Sequence, residues 1–150
     1  MVRTFIVAAI AALAFTAAKA ETRNLISKTS PHSVADTADR FVAAVKGAGA
    51  TVFAVVDHAK GAMSVDMKLA PAVVVIFGNP KLGTPPMQIN AQIGLDLPLK
   101  VLIRQKDGAT VIEYLDPAAL KDRYGIQGAE KTFKTMTGAL GKLTSKAAAP

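Results

Sequence analysis

Two neighbouring side chains in this sequence could transfer protons together. Asp57 and His58 follow a β-branched, apolar run, Thr51–Val56, at the point where a strand would end. A carboxylate and an imidazole there could act as a general base and its orienting group, or as metal ligands. Adjacent residues of an extended chain point to opposite faces, so the pair can share a site only if the chain turns between them. The alternative is that Asp57 caps a turn and His58 bonds a backbone carbonyl.

Asp96 is a third candidate for proton transfer, because it lies between leucines and shortly before Pro98. Burial among these apolar residues would favour the protonated carboxyl and make it a proton donor. The alternative is that Asp96 caps a turn or bonds backbone amides at the start of the next strand. An enzyme of this kind would bring Asp57, His58 and Asp96 together around one cavity. The sequence has neither a GxSxG nucleophile motif nor a cysteine, which removes those two nucleophiles from consideration.

A glycine-bounded segment follows Ala72–Phe77, which is the most apolar run after the first twenty residues. It reads GNPKLGT from Gly78 to Thr84 and combines backbone N–H groups with the Lys81 ammonium and a hydroxyl. Such groups can cradle an anion, and a helix beginning near Pro85 would direct its positive end toward it. The alternative is a turn that uses glycine for its dihedral angles and asparagine for a local hydrogen bond. The predicted ligand-binding residues are Asn79, Lys81, Gly83, Thr84 and Met87.

Thioether and imidazole groups could bind a soft metal ion such as Cu(I). The side chains concerned are His32, His58, Met63, Met67 and Met87. Methionine more often fills gaps in a core, and the chain has no Met-x-x-Met cluster. We therefore predict no metal site, and the sequence indicates no particular cofactor.

The first twenty residues have the features of a cleavable secretory signal. Arg3 is followed by an uncharged stretch to Ala18, and Ala18-Lys19-Ala20 fits the small-x-small pattern of a cleavage site. A membrane-spanning helix needs roughly 18 or more apolar residues, and Lys19 ends this run too early. We expect cleavage after Ala20, export of the product and no membrane anchor afterwards.

The charge distribution argues against a nucleic-acid partner. The formal net charge is +7, but the lysines and arginines are scattered and only 5% of the residues are aromatic. A nucleic-acid interface concentrates basic and stacking side chains on one surface. Because the chain contains no cysteine, its stability must come from core burial, for which residues 21–150 suffice in one domain.

Hydrophobic periodicity predicts the elements that would position these residues. Ser33 and Asp36 have capping-box spacing at the start of an amphipathic helix that ends at Gly47 and Gly49. Strands are predicted at residues 23–28, 51–56, 72–77, 99–105 and 110–115, with 51–56 buried and a hairpin turn at Asp107-Gly108. DHAKGA, residues 57–62, breaks the second strand. Further helices are predicted from Pro85, at 117–124 and at 127–144, followed by a frayed tail at 145–150.

This order of elements, β-α-β-β-α-β-β-α, predicts the fold class. It favours one compact α+β domain over residues 21–144, with a largely antiparallel sheet and helices on one face.

Three strings in the middle of the chain resemble the domain of unknown function 302 family. They are FAVVDHAKGA (53–62), VIFGNPKLGTPPM (75–87) and LDLPLK (95–100). The resemblance covers about residues 33–124 and implies a compact α+β domain that forms homodimers in a bacterial periplasm, with no established activity. The chain departs from the family pattern at Pro86 and at Ile103-Arg104-Gln105, where a pocket could be altered.

Three possible functions follow from these observations. The first is a homodimeric binding or accessory module that holds a small anionic ligand near residues 78–87. The alternatives are an enzyme that uses Asp57, His58 and Asp96, and a metal-handling protein. The presence of catalysis is left open by the sequence.

Overall fold

The computed structural model describes residues 24–150, so the predicted signal segment lies outside the described residues. Five strands form one antiparallel sheet in the order β1-β5-β4-β3-β2. The strands are β1 (Leu25–Ser30), β2 (Thr51–Asp57), β3 (Ala72–Gly78), β4 (Leu99–Lys106) and β5 (Ala109–Leu115). The helices are α1 (Val34–Gly47), α2 (His58–Met63), α3 (Pro80–Ile89), α4 (Pro117–Arg123) and α5 (Glu130–Ala147), with a 3₁₀ turn at Ala91–Leu95. The predicted α+β class is confirmed.

Helix α1 begins where the capping pattern predicts. The Ser33 hydroxyl oxygen accepts a hydrogen bond from the Asp36 backbone N–H at 3.0 Å, which satisfies one free donor of the first turn. Phe41 and Val45 are fully buried on the face that meets the sheet. After the helix, Gly49 has φ +72°, a conformation that suits glycine and reverses the chain toward β2.

The main core lies between the sheet and the helices α1 and α5. Val75, Val101 and Ile103 are fully buried on the helix-facing side of the sheet. Phe41 of α1 packs edge-to-face on Phe77 of β3, with ring centroids 5.3 Å apart. Full burial of each such side chain stabilises the fold by about 1.5–3 kcal/mol.

A second hydrophobic cluster lies beside the first. It contains buried residues of the 3₁₀ turn, α4, the loop that follows α4 and the first half of α5, namely Ile93, Leu120, Ile126, Ala129, Phe133 and Met136. Leu99 packs against both clusters. Helix α5 therefore spans both clusters, with Met136 in the second and Leu140 in the first.

The β4–β5 hairpin turns at the predicted residues. Asp107 and Gly108 both have positive φ, 50° and 82°, and Lys106 pairs directly with Ala109. Two central residues with positive φ match the type I′ turn, whose twist fits that of the flanking strands.

Strand β2 is an edge of the sheet and pairs only with β3. The prediction that residues 51–56 are buried was wrong, because Phe53 and Val55 are 55% and 52% exposed. A β-branched run identifies a strand but not its place in the sheet. The other edge, β1, differs: Lys28 donates to the Gly141 carbonyl at 3.0 Å, and such an inward lysine discourages pairing with another strand.

Two further boundaries differ from prediction for local chemical reasons. The predicted break at DHAKGA contains helix α2, which Asp57 caps by accepting from the Lys60 N–H at 2.9 Å. Helix α3 begins at Pro80 rather than near Pro85, because Asn79 is its N-cap and proline fits the first helical position. Pro85 then lies inside the helix together with Pro86.

The C-terminal residues are held against the domain. Helix α5 continues to Ala147, which is fully buried, so the predicted frayed tail from residue 145 differs from the structure. The Ala149 carbonyl accepts hydrogen bonds from His32, at 2.7 Å, and from Arg40. These two bonds fix the tail against the start of α1.

Candidate functional site

A cavity of about 390 Å³ opens between α3, α5 and the adjoining ends of β2 and β3. Its inner wall consists of the buried side chains of Phe77, Met136, Leu140 and Leu143. The exposed lining residues Ala48, Phe53, Pro80, Thr84, Met87 and Pro98 surround its mouth. The volume falls in the range of small-molecule sites, which is about 300–1,000 Å³.

The cavity exists because small residues line the junction of the two hydrophobic clusters. The lining includes Ala50, Gly83 and Ala139, which carry no more than a methyl group and cannot fill the space between their larger neighbours. A Cβ atom added to Gly83 would meet no atom within 4 Å. Leu99, which joins the two clusters, also lines the cavity.

Four of the five predicted ligand-binding residues line this cavity: Asn79, Gly83, Thr84 and Met87. The fifth, Lys81, does not line it and is exposed on the first turn of α3. The Asn79 side-chain oxygen accepts from the Lys81 backbone N–H at 2.9 Å, which leaves the Asn79 amide NH₂ group for another partner.

The lining is chemically apolar. Within residues 24–150, the polar side chains that line the cavity are those of Asn79 and Thr84, and no charged side chain lines it. The arrangement can therefore shield an apolar molecule from water and offer two hydrogen-bonding side chains to it.

Asp57 and His58 lie away from this cavity. Asp57 pairs with Val73 at one end of β3, whereas Gly78, a lining residue, is at the other end. Five residues of strand separate the two ends, roughly 17 Å at the usual rise per residue. Asp57 and His58 are both exposed. The Asp57 carboxylate accepts a hydrogen bond from the Lys60 backbone N–H, so Asp57 has the capping role of the alternative interpretation.

Asp96 takes part in an ion-pair network instead. Its carboxylate accepts from the Tyr124 hydroxyl at 2.8 Å and from Arg123 at 3.1 Å. The hydrogen bond to Asp96 raises the pKa of Tyr124 above its ordinary value. The network ties the 3₁₀ turn to the end of α4, and the next two residues, Leu97 and Pro98, are joined by a cis peptide bond and line the cavity. Asp96 thus lies near the cavity end of the sheet, and the structure does not bring it together with Asp57 and His58 in one chain.

The side chains considered as soft-metal ligands are distributed over several regions. Met87 lines the cavity, His58 begins α2 at the opposite end of β3, and His32 bonds the carbonyl of Ala149 next to the C-terminus. Met63 and Met67 are each 65% exposed. Over the described part of the chain, no group of three or more His, Cys, Asp or Glu side chains could hold a metal ion.

Sequence reasoning missed most of the inner wall. Met136, Leu140 and Leu143 of the inner wall come from α5, far from the GNPKLGT segment along the chain. Their spacing indicates ordinary core positions, and only the packing of α5 beside α3 makes them a binding surface.

The chain resembles curated proteins over most of its length. The fluoride-specific ion channel FluC 1 of Brucella suis biovar 1 is 38% identical over 126 residues, which is 83% of this chain and 50% of that protein. Fluoride-specific ion channels FluC 1 of Brucella abortus and FluC 2 of Brucella melitensis give the same identity over 47% of their lengths. The chain therefore spans about half the length of these relatives. Among residues 24–150, no helix has the length and apolar character required to cross a membrane.

A solved structure shares the fold. The crystal structure of an uncharacterized conserved protein DUF302 from Bacillus stearothermophilus matches with a TM-score of 0.76 and 17% identity, over 83% of this chain and 98% of that one. The family model described as "Domain of unknown function DUF302" matches residues 26–143. Because that match covers most of the chain, the protein belongs to the DUF302 family.

Proposed function

We propose that this protein is a small-ligand-binding module whose site is the cavity beside α3. The observation that carries the proposal is a preformed concave site of about 390 Å³ that includes four residues predicted to bind a ligand, Asn79, Gly83, Thr84 and Met87. The Asn79 amide and the Thr84 hydroxyl would orient the ligand. An anionic group on the ligand would lie at the mouth, within reach of the exposed Lys81 ammonium.

Thermal unfolding in the presence of a chemically diverse panel of small molecules tests this function. A ligand at 100 times its dissociation constant adds about 2.7 kcal/mol to the stability of the folded state. Gly83→Leu places a side chain in the cavity, while Gly138→Leu makes the same change at an exposed position of α5 that does not line it. A cavity ligand should stabilise the original protein and Gly138→Leu but not Gly83→Leu, and Lys81→Ala should weaken acidic ligands alone. The proposal would be contradicted if no molecule in the panel changed the melting temperature of the original protein and of Gly83→Leu to different extents.

We also propose that two copies associate through strand β2. This edge carries exposed Phe53, Val55 and Val56, and an uncovered apolar edge is a ready template for pairing with another strand. The opposite edge is protected by Lys28. Val55→Lys should convert a dimer into a monomer in analytical ultracentrifugation, whereas Thr29→Lys on β1 should not. A dimer that survives Val55→Lys would rule out this interface.

We propose export from the cytoplasm to a bacterial periplasm, supported by the sequence of the first twenty residues. Mass spectrometry of the protein from periplasmic extracts should find a chain that begins at Glu21. Protein with intact Met1 confined to the cytosol would show that the segment is not cleaved.

A second candidate function, fluoride handling beside a membrane channel, is favoured by the 38% identity to half of the Brucella fluoride-specific channels. On this hypothesis the domain acts next to an ion-conducting partner. Fluorine-19 NMR would then show fluoride exchanging with the purified protein at millimolar concentration, and loss of the protein would increase the fluoride sensitivity of its host. Unchanged fluoride signals and unchanged sensitivity would remove this candidate.

A further inference from the structure

The chemistry of the cavity wall restricts the class of ligand. An inorganic anion that entered would lose its hydration, and the lining supplies no charged side chain to compensate for that loss. The inner wall of Phe77, Met136, Leu140 and Leu143 instead matches hydrocarbon. The ligand that fits this wall has an apolar body.

The cavity also restricts the ligand's size. A volume of about 390 Å³ lies near the lower end of the range of small-molecule sites, which is about 300–1,000 Å³. A medium-length aliphatic chain fits such a volume, and its flexibility would let it follow an irregular wall built from two helices and three strands.

The polar groups of the site all occur on one side of the cavity, on α3 and its cap. Asn79 caps α3 and keeps its amide NH₂ group available, and Thr84 is an exposed residue one turn further on. Lys81, which does not line the cavity, is exposed between them in sequence. An elongated ligand would therefore lie with its tail against Leu140 and its polar end at α3.

We infer that the cavity binds an amphipathic molecule with a medium-length aliphatic body and a single polar end. This inference rests on the proposed ligand-binding function and specifies its ligand class. On this inference, burial of the ligand's aliphatic body contributes more to the affinity than any charge on its polar end.

Titration calorimetry with hexanoate, octanoate, decanoate and dodecanoate tests the inference on the purified protein. Burying one methylene contributes about 0.8 kcal/mol, which is about fourfold in affinity. Affinity should therefore rise about fifteenfold from hexanoate to octanoate, and the gain per methylene should be smaller from decanoate to dodecanoate, when the chain becomes too long for the cavity. Decan-1-ol should bind within about tenfold of decanoate, because the tail dominates.

The same variants provide the controls. Gly83→Leu should weaken decanoate at least tenfold, and Gly138→Leu should leave it within twofold of the original. The affinities for phosphate, sulfate and fluoride should be the same in the original protein and in Gly83→Leu.

The possible failures separate the ligand class from the function. Binding of other small molecules that is sensitive to Gly83→Leu, with no dependence on chain length, would overturn the aliphatic ligand and leave the binding function standing. If neither the fatty acids nor the diverse panel distinguishes Gly83→Leu from the original protein, both the inference and the proposed function fail.

Discussion

The ion pair between Arg104 and Glu113 lies on the face of the sheet opposite α1 and α5. Both carboxylate oxygens of Glu113 accept from the Arg104 guanidinium, at 2.7 Å from Nε and 3.1 Å from Nη2. The Glu113 side chain is only 7% exposed, whereas that of Arg104 is 33% exposed. The same hydrogen bonds raise the pKa of Arg104, so the guanidinium stays charged. Loss of Arg104 would therefore leave a buried charge unpaired, whereas loss of Glu113 would leave a partly exposed charge unpaired.

Replacing Arg104 with leucine should be costly because it leaves a buried carboxylate without a partner. Removing one member of a buried pair costs about 3–5 kcal/mol. Since a third of Arg104 is exposed and water can enter its place, we expect about 2–3 kcal/mol here. Glu113→Leu should cost only about 1 kcal/mol, because the long Arg104 side chain can turn its charge to water. The free energy of unfolding of the double variant should lie within about 1 kcal/mol of that of the original protein.

Urea unfolding followed by circular dichroism measures these differences. With a slope of about 1–3 kcal/mol per molar urea, Arg104→Leu should lower the midpoint by about 0.7–3 M without changing the slope. The double variant should recover most of that loss. Equal losses in the two single variants, or a double variant as unstable as Arg104→Leu, would refute the argument from an unpaired buried charge.

Three further outcomes follow from other contacts. Glu130 bonds Lys121, which lowers the pKa of Glu130 to about 2 from an ordinary 4.5. Its depressed pKa means that the stabilisation is present above pH 4.5 and is lost as the pH falls toward 2, so Glu130→Gln should lower the melting temperature slightly at pH 7 and not at pH 2. Asp96→Asn should lower the pKa of Tyr124. In an absorbance titration, one of the protein's two tyrosines should then form tyrosinate at a lower pH than it does in the original protein. Gly138→Ala should raise stability by about 1 kcal/mol in urea unfolding, because the position is helical and exposed and an added Cβ meets no atom within 4 Å.

The elements that local chemistry specifies could be predicted from the sequence. Ser33 and the apolar positions after it define α1, and Asp107-Gly108 defines the hairpin, because each signal acts within a few residues. The Asn79-Pro80 pair is also a local signal, an N-cap followed by proline at the first helical position. It indicates the start of α3 at Pro80, five residues before the predicted start at Pro85.

The remaining features depend on long-range packing. Strand order decides that β2 is an edge and that Phe53 is exposed, and nothing within TVFAVV distinguishes an edge strand from a central one. The cavity forms only when α5 packs beside α3, so that Met136 and Leu140 line the same cavity as Thr84. The apolar character of the site could therefore not be predicted from the GNPKLGT segment, whose Lys81 suggested an anion.

Methyl NMR of the methionines tests the central claim most directly. Met87 and Met136 line the cavity, while Met63 and Met67 are exposed in and just after α2, at the other end of the sheet, and serve as internal controls. Addition of decanoate to protein labelled at the methionine methyl groups should shift the Met87 and Met136 signals and leave the Met63 and Met67 signals in place. Shifts confined to Met63 and Met67, or no shifts at any concentration below micelle formation, would contradict an aliphatic ligand in this cavity.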